Sequence, residues 1–207
     1  MSRVARPADT TRLAKRVLSE LRERKWLLQA DAELPSVATL VVGEPIRGSW
    51  WAHPESNRVY WVLEELDDSP EVLSVKLVRG KATLVHRDLW PALIALGASG
   101  EPWQTLKLSA AAKSLLARVT KHGSLRLDGL KGWRAATKPA DAARELETRL
   151  LVYGGEIHTE SGRHAKLLET WHHLRERLGI GGALPDPAAA KRALAERFPR
   201  ETRVPWQ

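Results

Sequence analysis

Ser109-Ala110-Ala111-Ala112-Lys113-Ser114-Leu115-Leu116-Ala117-Arg118-Val119-Thr120-Lys121-His122-Gly123-Ser124-Leu125-Arg126-Leu127-Asp128-Gly129 is the stretch on which the fold of this chain turns. A serine such as Ser109 caps a helix by accepting the free amides of its first turn. Ala112, Leu115, Leu116 and Val119 then recur at helical spacing, and Gly123 closes the run after Lys121-His122. Ser124 to Leu130 reads as a short strand and turn. Ala143, Leu146, Leu150 and Tyr153 share one face of a predicted helix over 141–153, stopped by Gly154-Gly155. Glu156 to Thr159 and His164 to Leu168 flank Glu160-Ser161-Gly162-Arg163, the pattern of a β-hairpin.

Helix, short strand, helix and hairpin is the order of a winged helix, a helix-turn-helix followed by a β-hairpin wing. Residues 105–171 are therefore read as a winged-helix domain within an α+β, mostly helical protein. Upstream, Leu13, Val17, Leu21 and Leu28 predict an amphipathic helix over 11–29, and residues 1–30 are taken as a separate basic N-terminal element. Pro35 breaks the chain before a short apolar segment, Val37 to Val42. Pro45, Gly48 and Pro54 then hold 44–56 as a loop. Asn57 is placed to cap a helix bearing Val59, Val62, Leu63 and Leu66. Val72 to Val78 and Ala82 to His86 flank a hairpin turn at Arg79-Gly80-Lys81, and a helix from Trp90 to Leu96 ends at Gly97. Residues 31–100 thus form an α+β unit with one hairpin, in the order of a degenerate winged helix, so two such units in tandem are one reading. The boundary falls at Glu101-Pro102-Trp103-Gln104. Residues 172–207 hold C-terminal helices, the last running from Ala188 to Phe198 behind Asp186-Pro187.

The chain has 207 residues, a net charge of +8 and no cysteine, which excludes disulfides, thiolate metal sites and a thiol nucleophile. No apolar run is long enough for a membrane span and no signal core follows the N-terminus, so a cytoplasmic protein without a membrane partner is expected. The charge is uneven. Residues 1–30 carry 8 Lys/Arg against 3 Asp/Glu, 31–100 carry 6 against 10, 101–170 carry 12 against 8, and 171–207 carry 7 against 4. An acidic middle between basic flanks points to an oriented basic face and to DNA as a partner.

In a winged helix that binds DNA, a helix enters the major groove while the wing touches backbone or minor groove. The residues offered here are Lys138, Arg144 and Arg149 on the helix, with His158, Arg163, His164 and Lys166 on the wing. Arg163 stands at the wing tip, where a side chain is unshielded for phosphate. Asp141, Glu145, Glu147, Glu156 and Glu160 lie among these cations and repel phosphate.

A second candidate is the loop carrying Glu44, Arg47, Trp50, Trp51 and His53. Neighbouring side chains on an extended chain diverge, so two adjacent indoles cannot both enter one core. One indole is expected at a cleft, where it stacks on an unpaired base while Arg47 holds a phosphate and Glu44 serves as a base. Phosphate-binding glycine loops, His-Glu-x-x-His and Gly-x-Ser-x-Gly are all missing from the sequence. His172-His173 point about 100° apart on a helix and suit one metal poorly. No catalytic residue, metal or cofactor is expected.

Residues Gly43 to Pro54, Leu89 to Leu93 and Glu156 to His164 resemble an uncharacterised family of small bacterial proteins. More distantly, residues 109–171, with Trp51-Ala52-His53, resemble the bacterial DNA glycosylases built from tandem winged helices, which remove alkylated bases and unhook crosslinks. Their catalytic signature is Gln-x-Gln or Gln-x-Asp; none of Gln29, Gln104 and Gln207 is read as sitting in such a motif, and no catalytic residue is carried over. Three functions fit these features: a duplex-DNA-binding protein, a protein-interaction or homodimerisation module, and a glycosylase-like repair enzyme using the Trp50/Trp51 loop as a base pocket.

Overall fold

The structure is a computed structural model that describes residues 5–158 and 164–207. It combines helices with two three-stranded sheets and divides into two compact units. The first comprises Met1–Ser74 with Lys81–Trp90, and the second Val75–Gly80 with Pro91–Gln207.

In the first unit, helix α1 (Thr10–Arg24) buries Leu13, Ala14, Val17 and Leu21. The predicted helix over 11–29 is shorter in the structure: Lys25 turns left-handed at φ 72° and its amide donates to Leu21, closing the helix. Trp26–Leu28 becomes strand β1, with all three residues buried. Three consecutive buried residues fit a sheet edge packed on both faces, and not a helix with one apolar stripe. The apolar segment after Pro35 is helix α2 (Val37–Val42), capped by Ser36, whose hydroxyl accepts from the Thr39 amide at 3.3 Å. Gly43, at φ 95°, ends it in a conformation that glycine adopts without strain. The 44–56 loop contains one 3-10 turn, Trp50–Ala52.

Helix α3 (Ser56–Asp67) follows, and its N-cap is Glu55 in place of the expected Asn57. Asn57 instead donates its side-chain amide to the carbonyl of Ala5 at 3.2 Å. Strands β2 (Val72–Lys76) and β3 (Ala82–His86) complete a sheet ordered β1-β3-β2. Trp26 pairs with Val85, Leu27 with Leu84 and Leu28 with Thr83. The core lies between this sheet and the helices, around Leu21, Leu27, Val37, Trp50, Val59, Val62 and Leu84.

Helix α4 (Trp90–Gly97) is followed by α5 (Pro102–Thr105), a single turn where a plain boundary is expected. Helix α6 (Ala110–His122) is capped by Ser109, whose hydroxyl accepts from the Ala112 amide at 3.1 Å. Strand β4 (Ser124–Arg126) and helix α7 (Pro139–Thr148) come next. The predicted helix over 141–153 begins two residues earlier, because Pro139 suits a first helical turn. It also ends sooner: Leu150 is left-handed at φ 51°, and Tyr153 joins a strand. Strands β5 (Tyr153–His158) and β6 (His164–Glu169) give a second sheet ordered β4-β6-β5. Its core gathers Ala112, Leu115, Val119, Ala143, Leu146, Val152 and Leu168. Helices α8 (Trp171–Arg177) and α9 (Pro187–Ala195) close the chain, α9 stopping short of Phe198.

Candidate nucleic-acid interface

Helix α7 turns Ala142, Ala143 and Leu146 into the core, which leaves Ala140, Asp141 and Arg144 outward. The acidic residues on it are largely drawn inward. Glu145 accepts from the Ser109 amide at 2.9 Å and the Ser109 hydroxyl at 2.6 Å, joining α7 to the start of α6. Burial works against ionisation of Glu145, yet these donors and the charge of Arg149 hold its carboxyl below the ordinary value. Glu147 is buried and pairs with the Lys166 ammonium at 3.1 Å. It lies so close to Gly154 that a Cβ there would fall 2.0 Å from its carboxylate.

This packing sorts the candidate cations. Lys138 is the N-cap residue of α7 and is exposed, as is Arg144. Arg149 is spent internally: its guanidinium donates to the carbonyls of Leu106 at 2.6 Å and Trp103 at 3.3 Å. Lys166 is likewise held by Glu147. His158 and His164 are paired at the ends of β5 and β6. Arg163 and the rest of the expected wing tip lie outside the described residues.

Two cations absent from the sequence-based set lie in the segment between β4 and α7. From Gly129 to Ala140 the chain has no acidic residue and carries Lys131, Arg134 and Lys138. All three are exposed, and among the described residues none of their side chains has a hydrogen-bond or ion-pair partner; the same holds for the side chain of Arg144. The segment is irregular but anchored. Leu127, Leu130, Trp133 and Ala135 pack on the core of the second unit. The Arg118 guanidinium reaches across from α6 to the carbonyls of Lys131 at 2.9 Å and Gly132 at 3.1 Å. It also lies 6.0 Å from the Trp133 ring, within cation–π range. The Trp133 indole N–H donates to the Thr137 carbonyl at 2.8 Å. At the segment's start, Arg126 donates to both oxygens of Asp128, so neither charge there is free. The signal in the sequence was the charge run Lys-x-x-Arg-x-x-x-Lys without a carboxylate.

The tryptophan loop of the first unit sets its two indoles in different surroundings. Trp50 is 7% exposed and belongs to the core, while Trp51 is 60% exposed. The rings stack, with centroids 4.0 Å apart and planes 26° from parallel. Glu44 and Arg47 are exposed, and His53 Nδ1 accepts from the Glu55 amide at 3.1 Å.

A further feature corrects the sequence reading. Gln29-Ala30-Asp31 does spell Gln-x-Asp, directly after β1. The Asp31 side chain is only 3% exposed. One oxygen accepts from the Glu33 and Leu34 amides at 2.9 and 3.0 Å, and the other from the Lys81 ammonium at 2.7 Å. Burial opposes the ionised form, but Lys81 and the two amides outweigh it and hold the carboxyl below the ordinary aspartate value. Among the described residues no group of three His, Asp or Glu side chains is placed to hold a metal ion. Nor is any described helix long and apolar enough to cross a membrane.

No family model and no curated protein matches the chain. Among solved structures it is similar to the Streptomyces sahachiroi DNA glycosylase AlkZ, with 12% sequence identity and a TM-score of 0.46. The likeness covers 94% of this chain and 57% of that one, so the chain spans little more than half of the enzyme's length.

Proposed function

We propose that this chain binds duplex DNA through winged-helix units, with contacts made mainly to phosphates. The observation that carries the reading is the exposed, carboxylate-free segment Gly129–Ala140, whose Lys131, Arg134 and Lys138 lead onto the outward Arg144 of α7. Unpaired ammonium and guanidinium groups are the donors that replace condensed counterions on a phosphate backbone. The order of elements supports the same reading. The second unit runs helix, strand, helix, hairpin, with its sheet ordered first strand, third, second. The basic segment occupies the chain position just before the helix that such modules place in the major groove. The first unit repeats the order, with α2 as an added helix between β1 and α3.

The test is fluorescence anisotropy with a labelled 20-base-pair duplex at low salt. Replacing Lys131, Arg134 and Lys138 together by Ala is expected to weaken binding about tenfold or more, from the loss of three phosphate contacts. Because all three side chains are exposed, the thermal midpoint should stay where it is. Equal affinity of the two proteins would remove this segment from the interface.

A second reading, base excision, is favoured by Gln29-Ala30-Asp31. Hydrolysis breaks the bond from sugar C1′ to the base, the bonding pair leaving with the base, and water captures the cationic sugar; an ionised carboxylate held in place stabilises that charge. In this reading Asp31 carries the negative charge and Gln29 orients the substrate. Release of 7-methylguanine from methylated duplex is the assay, with Asp31→Asn as the variant. Asparagine still accepts the Glu33 and Leu34 amides, so the fold is expected to survive while release stops. Absence of release by the wild-type protein that binds the same duplex leaves the chain a DNA-binding protein and ends the enzymatic reading.

A further inference from the structure

The exposed Trp51 is the largest apolar group that the described surface of the first unit presents, and its surroundings fix it in place. Ser49 starts the 3-10 turn under it: the Ala52 amide donates to the Ser49 carbonyl and the His53 amide to that of Trp50, each at 3.1 Å. Trp50 is locked in the core and covers one face of the Trp51 ring. Tyr60, half-buried on α3 and packed against the core, stands 6.0 Å away at 42° and borders it. With one face covered and 60% of the residue still exposed, the opposite face is open to solvent. A large ring held this way loses little conformational freedom when a flat partner settles on it. Four residues earlier stands Arg47, exposed and without a partner among the described residues.

We infer that the open face of Trp51 is a stacking platform for an unpaired nucleobase, with Arg47 as a contact to the neighbouring phosphate. A nucleobase presents a flat π-face of matching size, and base–aromatic stacking is tolerant of sequence. Its backbone supplies the negative charge that a free guanidinium four residues before the ring in the chain calls for, in a protein whose net charge is +8. Paired bases offer no such face, since their neighbours in the stack already cover them. The inference rests on the DNA-binding reading and adds to it a preference for sites where a base is unpaired.

The experiment compares, by anisotropy and with the full chain, a fully paired duplex and one of equal length carrying a single-nucleotide bulge. The wild-type protein is expected to bind the bulged duplex about tenfold more tightly, the gain that one stacked base supplies. Trp51→Ala should erase this preference without changing affinity for the paired duplex, and Trp51→Phe should keep most of it. Since Trp51 projects into solvent, an unchanged thermal midpoint shows that the alanine variant is folded. Persistence of the preference in Trp51→Ala overturns the platform, as does equal binding of both duplexes by the wild type. Failure of the wild type to bind either duplex overturns the DNA-binding reading itself, and the platform with it.

Discussion

At the scale of single residues, the second unit is set by a knot of groups around the carbonyl of Leu150. The buried indole of Trp171 donates to it at 2.7 Å and the Gln104 side-chain amide at 3.1 Å; Gln104 also reaches the Gly97 carbonyl. Leu150 holds a left-handed conformation that leucine avoids, and these donors hold that carbonyl in place. Gly97 gives Trp171 its seat, for a Cβ at 97 would fall 2.3 Å from the indole. Gly97→Ala is accordingly expected to destabilise the protein by about 1–3 kcal/mol through overpacking. In urea the midpoint should fall with the slope unchanged; an unaltered midpoint would show that the indole moves aside without cost. The sequence marks Gly97 as a helix end but carries no sign of the ring that packs on it, because that contact joins residues far apart in the chain. The cations teach the same lesson. Arg149 and Lys166 look like free surface charges by position, yet carbonyls from α5 and the Glu147 carboxylate claim them. Asp31 was readable as half of Gln-x-Asp; its burial against Lys81 was not.

At the scale of elements, α1 is fastened to the chain before β2 by charge. Arg22 donates to Glu71 with its Nε at 2.9 Å, and the buried His86 lies 3.3 Å from the same carboxylate. Chiefly because of Arg22, the Glu71 carboxyl titrates at about 2 in place of its usual 4.5. A carboxyl depressed by folding contributes stability that is fully present above its unfolded value and lost as pH falls toward the folded one. Arg22→Gln should therefore lower the urea midpoint at pH 6, and the gap to wild type should close as pH falls from 4.5 to 2. A gap that stays constant across that range would show that Arg22 acts through packing alone. The elements themselves were legible where one periodicity ran between clear caps, as in α6 behind Ser109. Periodicity misleads where a strand continues a helical apolar run: Trp26–Leu28 after α1, and Tyr153 after α7. In both places the change is made by a residue with positive φ, Lys25 or Leu150, and neither lysine nor leucine announces that conformation.

At the scale of the molecule, charge is the property on which the proposed binding of DNA depends. Many of the cations are already held by carboxylates: Lys25 pairs with Asp88, Lys81 with Asp31, Arg177 with Glu169 and Lys191 with Glu101. What stays unpaired in the second unit includes Lys131, Arg134, Lys138 and Arg144, and the reading as a phosphate-binding protein rests on those four. Its most direct test is the salt dependence of duplex binding by the wild-type chain and by the Lys131/Arg134/Lys138→Ala variant. Each phosphate contact contributes about −0.9 to the slope of log binding constant against log salt. The wild type should therefore show a slope of about −3.6 or steeper, and the variant one shallower by about 2.7. Identical slopes for the two proteins, or wild-type binding indifferent to salt, would contradict the account.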